Sequence, residues 1–155
     1  MNIEILYIFI YSYFLGSIPF GLILTKIFLN KDLREIGSGN IGATNVLRTG
    51  KKILGVLTLL LDGAKGYISI LITLNYLPEY IYFSALLCFL GHIFPVWLKF
   101  KGGKGVAVYF GILLCLSIEL SIFFIVCWLA ILFFSKYSSL SSLISTLLIF
   151  IYSII

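Results

Sequence analysis

Two short stretches hold most of the side chains that could act on a ligand. The first, Gly37-Ser-Gly-Asn-Ile-Gly-Ala-Thr-Asn-Val-Leu-Arg48, packs three glycines, a serine, a threonine, two asparagines and an arginine into twelve residues. Glycines such as Gly37, Gly39 and Gly42 let backbone amides converge on an anion. Ser38, Asn40, Thr44 and Asn45 add neutral hydrogen-bonding groups, and Arg48 adds a planar fork suited to phosphate or carboxylate. A helix starting near Ala43 would turn its amide end towards the same anion. The second stretch, Phe100-Lys-Gly-Gly-Lys-Gly-Val106, sets Lys101 and Lys104 among Gly102, Gly103 and Gly105. Backbone amides beside an ammonium group suit a phosphate. Plain alternatives stand beside both readings: a flexible glycine-rich connector for the first, and a basic membrane anchor with turn glycines for the second.

Two familiar patterns do not apply. Gly37-x-Gly39-x-x-Gly42 matches a dinucleotide fingerprint, but that motif needs a preceding strand and a βαβ unit, which this chain lacks. The lysine-glycine stretch is no Walker sequence, because Leu98 stands where the first glycine belongs and Gly105 replaces the required Ser/Thr. One histidine, His92, and three cysteines inside apolar runs give no zinc site and no disulfide framework.

The elements that must carry these stretches are apolar. Of 155 residues 61% are hydrophobic and 11% charged, with a net charge of +5. Mean hydropathy is +1.16. A small soluble domain cannot hide that much apolar surface, and disorder is excluded by the same figures. The expected class is all-α: one polytopic transmembrane helix bundle over residues 1–155. The start, Met-Asn-Ile-Glu, has no positive n-region, so the first apolar run reads as a retained span. Runs lie near Ile5–Phe28, Ile53–Leu74, Tyr80–Phe100, Val106–Phe134 and Leu140–Ile155. As one helix, Val106–Phe134 would measure ~43 Å against a ~30 Å hydrocarbon core. Two helices turning near Ser117–Glu119 keep the flanking lysines on one side, giving about six spans. Ten of the eleven basic residues then share a face, with Glu4, Glu79 and Glu119 opposite. That asymmetry predicts an external N-terminus and cytoplasmic basic loops. The net positive charge therefore reads as topology, with no nucleic-acid partner expected.

Two charges lie deep in the second run. Asp62 and Lys65 sit at i, i+3, beside Gly63 and Gly66. Asp62 would be ~14 Å from the inner end of the helix. Charges at such depth pair and face the protein interior, so a structural ion pair is expected. His92, near Pro95, is either a general acid/base or a packing residue bonded to a carbonyl freed by the proline.

These segments resemble a known family. Gly16-Ser-Ile-Pro-Phe-Gly21, Gly37 to Arg48, Leu61-Asp-Gly-Ala-Lys-Gly66, Gly91-His-Ile-Phe-Pro-Val-Trp-Leu-Lys-Phe-Lys-Gly-Gly-Lys-Gly105 and Lys136-Tyr-Ser-Ser-Leu140 look like the bacterial acyl-phosphate:glycerol-3-phosphate acyltransferases. The resemblance covers nearly the whole chain. It implies a seven-helix protein of the bacterial cytoplasmic (inner) membrane with its motif loops facing the cytoplasm. The implied reaction moves a fatty acyl group from acyl phosphate to the 1-hydroxyl of glycerol 3-phosphate. Lysophosphatidate and inorganic phosphate result, at the start of phospholipid synthesis. Neither coenzyme A nor acyl carrier protein is the direct donor, and no cofactor or metal is implied. The partners are membrane lipid, the two substrates and, functionally, the enzyme that makes acyl phosphate.

By the same resemblance, Ser38, Arg48 and Lys104 are catalytic. Gly37, Gly39, Asn40, Gly42, Thr44, Asn45, His92, Lys101, Gly102, Gly103 and Gly105 line the substrate sites. The family carries a third motif with a histidine, an asparagine and a Gly-x-Glu after its seventh helix, and these 155 residues do not include it. An alternative is a catalytically incomplete member, or a small anion-binding membrane protein. Transport is disfavoured because the polar residues gather in loops rather than along a path through the bilayer.

Overall fold

Proline and serine set the breaks between otherwise continuous apolar helices. The structure, a computed structural model, describes residues 3–154. Among the described residues there are eight α-helices, three short 3-10 turns and no strands. The first apolar run divides into α1 (Ile3–Ser17) and α2 (Phe20–Leu29). Read from sequence as one span, it is long and apolar enough to cross a membrane over Ile3–Leu29. Its helix is interrupted because Pro19 has no N–H to continue the ladder, and at the break the Ile18 carbonyl accepts the Phe20 N–H at 3.2 Å and the Lys65 ammonium.

After a 3-10 turn at Leu33–Glu35 and the short α3 (Ala43–Leu47), α4 runs unbroken over Lys52–Tyr76. At 1.5 Å per residue it is ~37 Å long. A turn at Pro78–Tyr80 leads into α5 (Ile81–Ile93), and a further turn, Val96–Leu98, follows Pro95. Next come α6 (Val106–Leu116), α7 (Ile118–Ser135) and α8 (Ser138–Tyr152). The expected turn near Ser117–Glu119 is present. Ser117 is extended, and its Oγ accepts the Leu120 N–H at 3.3 Å to cap α7. By length and composition Ile3–Leu29, Lys52–Tyr76, Pro78–Leu98 and Ile118–Ser135 can each cross a membrane, while α6 and α8 are apolar but shorter.

The chain forms two compact units, residues 1–112 and 113–155. In the first, glycines bring backbones together. A Cβ on Gly16 would lie 2.1 Å from the Cys88 carbonyl oxygen, and one on Gly91 would lie 2.2 Å from that of Tyr13, so α1 and α5 approach closely. Likewise, α4 meets α6 where a Cβ on Gly111 would lie 1.9 Å from the Gly63 oxygen. Hydroxyls join the same helices: Tyr11 bonds Thr73, and Ser84 links Ser12 at 2.8 Å to Ser69 at 3.1 Å. Ser12, Ser69, Thr73 and Ser84 are buried while Ile53, Leu60 and Tyr82 are exposed. Polar inside and apolar outside is the arrangement that a lipid surrounding demands.

In the second unit α7 and α8 form an antiparallel pair. The Trp128 indole donates to Ser142 Oγ at 3.1 Å, and Tyr152 bonds Glu119 while stacking obliquely on Phe123. Between α2 and α3, Asp32 caps the first turn. Its carboxylate accepts the Arg34 N–H at 2.9 Å and the guanidinium at 2.6 Å.

Two outcomes test these contacts. Gly111→Ala is expected to lower stability in detergent by about 1–3 kcal/mol, through overpacking against the Gly63 backbone. Gly63→Ala, whose Cβ would find nothing closer than 3.6 Å, is expected to be tolerated. Thermal unfolding followed by circular dichroism compares the pair. The second concerns pH. The Arg34 side-chain bond, then its backbone N–H, holds the Asp32 pKa down from 3.8 to about 2. A depressed carboxylate pKa stabilises the folded turn above pH 3.8, and that contribution is lost as pH falls through about 2. Carbon-13 NMR of the Asp32 carboxyl should give a midpoint near 2, returning towards 3.8 in Arg34→Ala.

Candidate active site

The first loop is organised by one buried asparagine. Asn45, on α3, is 1% exposed. Its amide nitrogen donates to the carbonyls of Leu33 at 3.1 Å, Ile36 at 2.9 Å and Asn40 at 2.8 Å. Its oxygen accepts the Ser38 N–H at 3.1 Å and lies 3.5 Å from Arg48 Nη1. Gly37, at φ +55°, must be glycine, because a Cβ there would lie 2.6 Å from that oxygen. Below this lattice Leu33, Ile41 and Val46 pack with Leu22 and Leu54, and Leu98 of the second motif packs against the same cluster.

Asn40 and Asn45 were expected to shape the first-loop pocket. Asn45 uses its side chain to hold the loop, and Asn40 Oδ1 accepts the Gly42 N–H at 3.0 Å. The Gly39 N–H donates to Ile36 O at 2.9 Å. Hence the amides of Ser38, Gly39 and Gly42 close the loop on itself. The groups left at the surface are the side chains of Ser38, Thr44 and Arg48.

The second motif folds back on the end of α5. The Gly102 N–H donates to Ile93 O at 2.9 Å and the Gly103 N–H to His92 O at 3.0 Å. Both amides are thus bonded within the fold. Gly105 holds φ +77° against the Phe89 ring, where a Cβ would lie 2.3 Å from a ring carbon. Gly103 and Gly105 are buried, and Lys101 and Lys104 are exposed.

Beneath the two loops lies the expected ion pair. Lys65 Nζ is 2.9 Å from Asp62 Oδ1, with both side chains almost wholly buried. The same ammonium donates to Ile18 O at 2.6 Å and lies 2.9 Å from His92 Nδ1. Asp62 Oδ1 and His92 Nδ1 are 3.8 Å apart. Sequence reasoning found the pair but not its link to His92, because 27 residues and a helix turn separate Lys65 from the imidazole. It also missed Ser17 and Tyr13. Trp97 Nε1 donates to Ser17 Oγ at 2.8 Å and Tyr13 Oη to Phe94 O at 2.7 Å, tying the α1–α2 break to the end of α5. Ser17 lies in the Gly16–Gly21 motif, but nothing in the sequence pairs it with Trp97, or Tyr13 with Phe94. Among the described residues no group of three or more His, Cys, Asp or Glu side chains could hold a metal.

With this geometry in place, comparison with known proteins is informative. The family model for glycerol-3-phosphate acyltransferase matches residues 6–155. A glycerol-3-phosphate acyltransferase of Pelagibacter ubique (strain HTCC1062) is 58% identical over 153 residues, covering 98% of this chain and 80% of the relative. One of Wolbachia sp. subsp. Brugia malayi (strain TRS) is 54% identical, covering 90% of this chain and 74% of the relative. Among solved structures, the glycerol 3-phosphate form of PlsY (YgiH), an integral membrane glycerol 3-phosphate acyltransferase, is similar with a TM-score of 0.90. It is 40% identical, covering 96% of this chain and 76% of that one. Its lysophosphatidic acid form gives 0.87 at 39% identity, covering 96% and 75%. Sequence, motif order and helix arrangement agree, and this chain belongs to the glycerol-3-phosphate acyltransferase family.

Proposed function

We propose that this chain transfers a fatty acyl group from acyl phosphate to the 1-hydroxyl of glycerol 3-phosphate, releasing lysophosphatidate and inorganic phosphate. One observation carries the assignment of the site. Ser38, Arg48, Lys101 and Lys104 are exposed on two loops that share one apolar base, where Leu98 meets Leu33, Ile41 and Val46. Both substrates carry phosphate, and two cationic loops suit two phosphates. The relatives solved with glycerol 3-phosphate and lysophosphatidic acid support the same substrate and product here.

An acyl phosphate is a mixed anhydride and is already activated. The glycerol hydroxyl oxygen attacks the acyl carbon, the bond from that carbon to the phosphate oxygen breaks, and the hydroxyl proton ends on the released phosphate. No covalent intermediate is needed, so positioning and charge stabilisation are the main work of the protein. In this reading Arg48 and Lys104 hold the phosphates and steady the leaving group, Lys101 adds local positive charge, and Ser38 and Thr44 hydrogen-bond the reacting groups.

We place the 1–155 chain in the bacterial cytoplasmic membrane as one catalytic domain of about six spans. Its N-terminus is outside and its basic loops face the cytoplasm, where the enzyme that makes acyl phosphate supplies the donor. The one-sided lysines and arginines support this orientation.

Reconstitution in liposomes with acyl phosphate and labelled glycerol 3-phosphate tests the proposal. Labelled lysophosphatidate is the expected product, and its absence from a folded, inserted chain would reject the assignment. Arg48→Ala and Lys104→Ala should each lower kcat/KM by about 10²-fold or more, the scale of one lost charge-stabilising donor. Full activity in either variant would remove that residue from the site. Asn45→Ala should act differently. It strips a buried lattice and leaves carbonyls unpaired, so thermal stability should fall by about 1–3 kcal/mol along with activity. The two surface variants should melt close to the parent.

A further inference from the structure

The Lys65 ammonium reaches three different segments through one ion pair and two hydrogen-bonding contacts. Asp62 Oδ1 lies one turn away on α4, Ile18 O lies at the break between α1 and α2, and His92 Nδ1 lies near the end of α5. An i, i+3 ion pair that only neutralised itself would need neither of the last two. Because Lys65 donates, Nδ1 accepts, and the ring proton sits on Nε2. That nitrogen faces Gly103, where a Cβ would lie 2.1 Å from it. The Gly103 backbone therefore rests directly on the imidazole edge. The same glycine donates its N–H to His92 O, and Gly102 donates to Ile93 O. Residues 102 and 103 are thus seated on the end of α5, by packing on the His92 ring and by hydrogen bonds to the His92 and Ile93 carbonyls, and Lys101 and Lys104 flank them at the surface.

We propose that Asp62, Lys65 and His92 form a positioning relay in which the buried ion pair fixes the imidazole, and the imidazole fixes the Gly102–Gly103 backbone that carries the phosphate-binding lysines. His92 is then a positioning residue, and its ring does not touch substrate. The relay rests on the acyl-transfer reading only for the role of Lys104. Its structural part stands on the contacts alone. The Ile18 bond gives the relay a second anchor, so the α1–α2 break at Pro19 is also coupled to the second loop.

The experiment combines amide exchange with kinetics on the whole reconstituted chain labelled with 15N-glycine. The variants are His92→Leu, His92→Asn and the neutral pair Asp62→Asn with Lys65→Met, which leaves no unpaired buried charge. In His92→Leu the Gly102 and Gly103 amides should exchange at least tenfold faster, while Gly63, inside α4, keeps its rate. KM for the phosphate substrates should rise about tenfold and kcat should fall with it, because the displaced Lys104 both holds phosphate and steadies the leaving group. His92→Asn, whose side-chain oxygen can accept from Lys65 near the Nδ1 position, should recover part of the KM. The neutral pair should loosen the same two amides although the ring is retained. Should His92→Leu fail to fold, the neutral pair and His92→Asn decide. Unchanged exchange at Gly102 and Gly103 in any folded variant that lacks the ring or the Lys65 donor overturns the relay. An inactive parent chain would defeat the acyl-transfer reading alone, since the exchange data would still decide the positioning.

Discussion

A lysine ammonium in the apolar middle of a helical membrane protein must be neutralised and fully hydrogen-bonded, or the helix that carries it cannot stay where it is. Lys65 meets that demand with acceptors from three segments. Asp62 supplies the opposite charge, the break at Pro19 supplies the Ile18 carbonyl, and α5 supplies an imidazole nitrogen. One requirement thus fixes the rotation of α4, the position of the α1–α2 interruption and the register of α5. Removing one charge of such a pair leaves the other stranded, which is why the arrangement is demanding as well as stabilising.

The helices reach this register because their backbones come close. Gly16, Gly91 and Gly111 stand where any Cβ would run into a neighbouring carbonyl. Lipid offers no hydrophobic drive for one apolar helix to bury another, so close packing and interhelical hydrogen bonds hold the bundle together. Tyr11, Ser12, Ser69, Thr73 and Ser84 provide those bonds in the interior. A residue such as Leu60 points outward for the same reason that these hydroxyls point inward.

The two surface loops are rigid despite their glycine content. In the first, Asn45 replaces the missing secondary structure by collecting three carbonyls and an amide. In the second, the end of α5 does so through His92 and Ile93. A fixed loop presents a charged side chain with less ordering cost than a mobile one, and preorganised charge is the means by which acyl transfer from an activated donor is accelerated. The amides of Ser38, Gly39, Gly42, Gly102 and Gly103 serve the scaffold, while the side chains of Ser38, Arg48, Lys101 and Lys104 stay at the surface.

The sequence by itself determined the membrane class, the helix breaks at Pro95 and Ser117, the Asp62–Lys65 pair and the family. Each of these is written in local quantities: apolar run length, the lysines that flank a run, a proline, an i, i+3 spacing or a contiguous motif. The tertiary structure alone decided which polar residues face outward and which hold the loops. Asn45 and Arg48 are three residues apart and equally polar, yet one is buried and the other exposed. It also decided that Lys65 meets His92 and that Gly102 and Gly103 give their amides to α5. The reason is physical. Periodicity and propensity act within an element, whereas a hydrogen bond between elements depends on the rotation and depth at which separate helices pack, and that is a property of all their side chains together.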